Sequence, residues 1–226
     1  MMETFVITGA GSGLGRELAL LLAKKGQEIL LIGRNDGKLN AVKKEIETAG
    51  GAAETLIIDV SDPASLPEKL EQALGGKTVA GLINNAGVGH FGHLPEMESP
   101  QIEEMFRTNT LGTIYMTQAI LPFLQKEGHG NVINIISTAG LRGKVNESVY
   151  AATKFAVRGF TESLQKEYEG TGITFTAAYM GGMDTPFWEN SRHVSNPSRF
   201  RKAREVAEAI VNGFGEKEII IESKKS

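Results

Sequence analysis

Thr4-Phe5-Val6-Ile7-Thr8-Gly9-Ala10-Gly11-Ser12-Gly13-Leu14-Gly15 begins as a β-branched and aromatic run and passes without a linker into a glycine-rich turn. Leu18, Leu21 and Leu22 follow at helical spacing, so the stretch reads as strand, tight turn, helix. Glycines in such a turn let the backbone approach a diphosphate, and the helix start offers unpaired N–H groups and the positive end of its dipole. The spacing is Thr8-Gly9-x-x-x-Gly13-x-Gly15 and does not fit Gly-x-Gly-x-x-Gly.

The same unit repeats outward from this turn. A second apolar run, Ile29 to Ile32, ends at Gly33-Arg34-Asn35, roughly 20 residues on, where the ribose of a dinucleotide would lie. Arg34 suits a 2′-phosphate and favours NADP(H), while the nearby Asp36 keeps NAD(H) open. A helix over Lys38 to Thr48, a strand over Glu54 to Ile58 ending at Asp59-Val60, and a helix capped by Asp62 with Pro63 in its first turn come next. Strand Val79 to Ile83 then runs into Asn84-Asn85-Ala86-Gly87.

Ser99 to Gln125 has the periodicity of one long helix, with Asn109 inside it and Pro122 as a kink near its end. An interior Asn points to work for its amide or to a local irregularity. Strands Val132 to Ile136, Ile173 to Tyr179 and Glu218 to Ile221, and a helix near Glu205 to Gly213, bring the count to seven strands. Alternation of this kind predicts an α/β fold: a doubly wound, seven-stranded parallel sheet, Rossmann-like, with helices on both faces. Ligands then sit at the carboxyl ends of the strands, where Asp59, Asn85 and Gly87 fall.

Bulk properties narrow the function. With 226 residues, 41% hydrophobic and 23% charged, the chain can bury one core, and residues 1–226 read as a single domain. A net charge of −3 argues against general affinity for nucleic acid or an anionic membrane. There is no cysteine, which removes disulfides and thiolate chemistry. His90, His93, His129 and His193 lack metal-ligand spacing, so no metal is expected. No signal peptide and no membrane-length apolar run is visible, and the expected location is the cytoplasm.

Ser137 follows an apolar run, and Tyr150 and Lys154 stand four apart in a helical segment, so the last two share one face. An ammonium beside a phenol stabilises the phenolate and is expected to lower its pKa, letting Tyr150 exchange a proton with a carbonyl.

Together, Thr8-Gly9-x-x-x-Gly13-x-Gly15, Asp59, Asn84-Asn85-Ala86-Gly87, Asn109, Ser137, Tyr150-x-x-x-Lys154 and Gly181 to Thr185 resemble the short-chain dehydrogenase/reductase family, classical type, over essentially the whole chain. The likeness includes carbonyl reductases and 3-oxoacyl-carrier-protein reductases. It implies Tyr150 as general acid or base, Lys154 lowering its pKa and holding the nicotinamide ribose, Ser137 bonded to the substrate oxygen, and Asn109 anchoring a water on the way to Lys154. It further implies cofactor contacts from Gly9, Ser12, Gly13, Leu14, Gly15, Arg34, Asp59, Val60, Asn85, Ala86, Gly87, Tyr150, Lys154, Met183 and Thr185.

Two departures stand out. Met180 replaces the family's usual Pro, which is expected to loosen the turn beside the nicotinamide. The chain also ends soon after Ile221, which favours a homodimer through the helices around 99–125 and 148–168 over a homotetramer. His90, Phe91, Leu141, Arg142, Met183, Phe187 and Trp188 are the expected lining for a small ketone or aldehyde. The basic run Arg199, Arg201, Lys202, Arg204 reads as a solvated helix start or a lure for an anionic substrate. The expected activity is NADPH-dependent reduction of a carbonyl to an alcohol. The alternatives are an NAD-linked alcohol dehydrogenase and a non-catalytic NADP-binding regulatory protein.

Overall fold

The structure, a computed structural model, describes residues 2–189, 191 and 193–223. Its main sheet has seven parallel strands: β1 (Glu3–Thr8), β2 (Glu28–Gly33), β3 (Ala52–Ile57), β4 (Thr78–Asn84), β5 (His129–Ser137), β6 (Gly172–Met180) and β9 (Glu218–Ile221). Their order is β3-β2-β1-β4-β5-β6-β9, a doubly wound arrangement whose direction reverses between β1 and β4. A further short ladder pairs β7 (Met183–Asp184) with β8 (Arg201–Lys202).

Period-two alternation along the strands sorts side chains to the two faces. Phe5, Ile7, Ile29 and Leu31 join Leu18 and Leu22 of α1 (Gly13–Lys24), Leu39 and Ile46 of α2 (Asp36–Thr48), and Val206 and Ile210 of α7 (Ala203–Asn212). Val6, Leu30 and Ile32 instead join Leu66 and Leu70 of α3 (Leu66–Leu74) and Met116, Ile120 and Leu124 of α5 (Gly112–Glu127). Full burial of each such side chain is worth roughly 1.5–3 kcal/mol. The cores hold the strands so that their carboxyl ends share one edge.

Two buried amides interrupt this apolar filling. Asn84 Nδ2 donates to Asn134 Oδ1 on the neighbouring strand at 2.8 Å and to Thr117 Oγ1 of α5 at 3.0 Å. Asn134 Nδ2 donates to Thr161 Oγ1 of α6 (Ser148–Glu167) at 2.9 Å.

Several boundaries differ from the sequence expectation. α3 starts at Leu66, with Pro67 in its first turn, because Asp62 Oδ1 takes the Ala64 N–H and holds 62–65 as a turn. The helix expected over Ser99 to Gln125 is three pieces: α4 (Ser99–Met105), a π-helical stretch Phe106–Leu111 containing Asn109, and α5, which carries Pro122 internally. Met180, expected to loosen the turn that follows it, is itself the last residue of β6. It has a backbone N–H where Pro has none and stays in the ladder, aligned with Ser137 on one side and Ile221 on the other.

Candidate active site

At the carboxyl edge of the sheet, β1 ends in the glycine turn. Gly9 and Gly13 adopt φ of +63° and +53°, a region that L side chains rarely occupy. The Ser12 side chain makes no capping bond, so the first N–H groups of α1 are left facing the cleft beside Gly9, Ser12, Gly13 and Leu14. Thr8 Oγ1 accepts from the backbone N–H groups of Asn85 and Ala86, both at 3.0 Å, and Asn85 Nδ2 donates to the Thr8 and Gly9 carbonyls. The two strand ends that bound the cleft are thus clipped together.

This cleft is a cavity of about 660 Å³, within the range of small-molecule sites. It is lined by the glycine turn, Arg34, Asn85, Ala86, Gly87, Ser137, Tyr150, Lys154, Met183 and Thr185, with Thr185 packed against Gly13. The bare glycine turn, the uncapped helix start and a cation beyond it fit the diphosphate and phosphate of a dinucleotide.

Four expected contacts stand back from the lining. Gly15 is a packing glycine: a Cβ there would lie 2.3 Å from the Gly9 carbonyl oxygen and 2.6 Å from Asn85 Nδ2. Asp59 accepts from Ser61 N and Oγ through Oδ1 and reaches Arg34 at 3.8 Å through Oδ2. Burial works to raise the Asp59 pKa, but the two bonds from Ser61, helped by Arg34, hold it below the ordinary value. Val60 packs against Gly112 at the start of α5. Asn109, almost fully buried, accepts from Val88 N at 2.8 Å and donates to the Val88 carbonyl and to Thr153 Oγ1. Its amide therefore fixes the chain just past Gly87, in whose direction the Lys154 ammonium also points.

Tyr150 and Lys154 lie on α6, one turn apart and both buried. Lys154 Nζ donates to the Ile135 carbonyl at 3.1 Å and stands 5.7 Å from the centre of the Tyr150 ring. Burial lowers the Lys154 pKa to about 8. Burial also raises the Tyr150 phenol; its hydrogen bond with Ser137 opposes the rise and the Glu147 carboxylate adds to it. The expected lowering by Lys154 is therefore reversed, since the ammonium faces the ring and a backbone carbonyl while desolvation dominates.

Among the expected substrate contacts, Met183, Phe187 and Trp188 line the cavity. Phe91 sits behind Tyr150, ring centres 5.3 Å apart. The others turn away: His90 pairs with Glu104 at 2.8 Å, Leu141 packs on the Ile136 and Tyr179 side, and Arg142 pairs with Glu222. In the basic run Arg201 pairs with Glu205, Lys202 with Asp184 and Arg204 with Glu17 and Glu208; only Arg204 lies on α7, Arg201 and Lys202 form β8, and Arg199 lines the cavity.

Other lining residues escaped the sequence reading. Lys38 reaches the cleft from the first turn of α2, and its basic charge one turn past Arg34 was a usable signal. Glu147, three residues before Tyr150, was another. Ser223 and His193 come from distant segments and carry no local pattern.

A parallel sheet whose switch-point cleft joins a glycine turn to a buried Tyr and Lys and a half-buried Ser defines an α/β protein of the dinucleotide-binding kind. The model of the family described as short chain dehydrogenase matches residues 3–196. An uncharacterised oxidoreductase of Staphylococcus epidermidis is 31% identical over 207 residues, covering 91% of this chain and 88% of that protein. One from Staphylococcus saprophyticus is 35% identical over 185 residues, covering 80% and 78%. Among solved structures, a variant of actinorhodin polyketide ketoreductase with NADPH superposes with a TM-score of 0.88 at 28% identity, covering 97% of this chain and 95% of that one. A short-chain dehydrogenase/reductase from Burkholderia phymatum in complex with NAD gives 0.89 at 25%, covering 98% and 88%. The chain belongs to the short-chain dehydrogenase family and is an oxidoreductase.

Proposed function

We propose that the protein is an NADPH-dependent reductase of a small ketone or aldehyde, with Tyr150 as the general acid. The observation that carries this reading is the convergence of Ser137, Tyr150 and Lys154 on the cavity that also contains the glycine turn. When bound, the dinucleotide supplies the hydride. The N–H groups of the turn, at Gly9, Ser12, Gly13 and Leu14, hold the diphosphate. Arg34, backed by Lys38, takes the 2′-phosphate, while Asn85 borders the adenosine and Met183 and Thr185 the carboxamide. The exposed Arg34 pair with Asp59 is weak, which leaves the guanidinium available.

At the other end Ser137 donates to the substrate oxygen and Tyr150 passes it a proton. Tyr150 holds its proton at neutral pH, the form a general acid needs. Lys154, with a pKa near 8, holds the ribose and passes on the next proton, while Asn109 keeps the backbone beside Gly87 in place. The same reading takes the chain as one catalytic unit, working in the cytoplasm on a small carbonyl or alcohol and not on nucleic acid or membrane. It further takes the enzyme as a homodimer through α5 and α6. Among the described residues no helix is long and apolar enough to cross a membrane, and no group of residues could hold a metal ion.

The test is oxidation of NADPH and NADH against a panel of aldehydes, ketones, diketones and β-keto thioesters, with Tyr150→Phe alongside. We expect turnover with NADPH preferred, and its loss in the variant with NADPH binding retained. Equal use of both cofactors would overturn the preference, and an active variant would overturn the role of Tyr150.

A further inference from the structure

Glu147 is a carboxylate whose side chain is only 10% exposed, in the lining of the catalytic cavity and three residues before Tyr150. Its position follows from a strained neighbour. Asn146 is the one non-glycine among the described residues with positive φ, at 61°, which turns the chain so that Glu147 faces inward at the start of α6.

Two ties meet at this corner. The Asn146 carbonyl accepts from Gly92 N at 3.0 Å, which fixes the residue after Phe91. Glu147 Oε1 accepts from His193 Nε2 at 3.1 Å, and Lys144 Nζ lies 3.9 Å from Oε2. The His193 ring stacks on Phe91, 4.7 Å between centres and 17° between planes, and Trp188 lies 5.4 Å from the other ring of that stack, Phe91. Phe91 meets Tyr150 edge-on. A continuous line of contacts thus runs from Glu147 through His193 and Phe91 to the Tyr150 ring.

We propose that Glu147 and His193 are a positioning pair, which holds the aromatic wall of Phe91 and Trp188 against Tyr150 and so shapes the substrate side of the site. The proposal rests on the reading of Tyr150 as the residue that meets the substrate oxygen. Glu147 acts through His193, and His193 through the rings. A stacked imidazole alone can slide along a ring face, whereas a partly buried hydrogen bond to a carboxylate fixes both its height and its tilt. The pair joins the start of α6 to a segment far along the chain, so losing either partner frees the same ring.

Trp188 is the only tryptophan in the chain, which gives a readout independent of turnover. Acrylamide quenching of its fluorescence is compared for wild type, Glu147→Ala, His193→Ala and the double variant, with folding checked by circular dichroism. Both single variants are expected to be quenched more readily than wild type, and the double variant no more than either. In the reductase assay of His193→Ala the KM for the best panel substrate rises about tenfold, as loss of a charge-assisted hydrogen bond would give, with kcat and NADPH affinity little changed. Glu147→Gln keeps an acceptor for His193 and is expected to return the quenching toward the wild-type value. Should Glu147→Ala fold poorly, His193→Ala decides alone, since that side lies nearer the surface. Wild-type quenching in His193→Ala, or additive effects in the double variant, would overturn the proposal. Absence of turnover with every panel compound would count against the carbonyl reductase reading, while the quenching series would still decide the pair.

Discussion

Lys154 keeps an ammonium where water scarcely reaches, with one hydrogen bond to a carbonyl as compensation. Its pKa falls from 10.5 to about 8, a difference of roughly 3 kcal/mol between its protonation states. Below pH 8 folded and unfolded chains both carry the charge and the burial cost is complete. Between about 8 and 10.5 the unfolded chain binds the proton and the folded chain does not, so stability rises with pH through that window. Lys154→Met should therefore be more stable than wild type at pH 7, by about 1–2 kcal/mol after the lost bond to Ile135 is subtracted. That advantage should fade toward pH 10.5, with turnover abolished throughout. Thermal melts across pH check this, and a variant less stable at pH 7 would show that the bond outweighs the burial. The sequence disclosed this residue through spacing alone, because i and i+4 share a helix face whatever surrounds them. It could not disclose the sign of the Tyr150 shift, which depends on burial by other segments.

At the scale of the element, the glycine turn separates two uses of one residue type. Gly9 and Gly13 are needed for backbone angles, while Gly15 is needed for room between α1 and the end of β4. Gly15→Ala should push the start of α1 away from Asn85, destabilise the protein by about 1–3 kcal/mol and weaken dinucleotide binding. Calorimetric titration with NADPH beside a denaturant melt measures both, and unchanged affinity would show that the turn adapts. A motif fixes where the glycines fall but not which constraint each answers. The π-helical stretch at Phe106–Leu111 is similar: the periodicity of 99–125 reads as one helix because a single extra residue per turn barely disturbs the apolar pattern. Only Asn109, a poor interior helix residue, hinted at the break.

Over the whole molecule, the seven parallel strands and the helix layers were legible because apolar runs and turns alternate so regularly, while the order of the strands comes from the structure. The 183–202 region was not, since it is held by contacts such as Lys202 with Asp184 and Arg201 with the Glu222 carbonyl, each far apart in sequence. Phe106, Leu111 and Phe155 remain 38%, 37% and 43% exposed on adjoining elements, tied where Thr110 Oγ1 donates to the Thr153 carbonyl. Apolar side chains of this size grouped on a surface fit the proposed contact between two copies. Phe155→Glu should then convert a dimer to a monomer in sedimentation velocity, and an unaltered dimer would place the interface elsewhere.

The Asn84 and Asn134 pair bears on how the sheet finds its alignment. In a parallel sheet filled with Val, Ile and Leu, a slip of two residues preserves which face each side chain occupies and exchanges one aliphatic group for another. Such a slip here would set one amide against Val132 or the other against Leu82, severing both from Thr117 and Thr161. Buried amides without partners cost about 1–3 kcal/mol each. These two residues thus act as a proofreading mark at the centre of the molecule, making one registration of its middle strands distinguishable from its near copies.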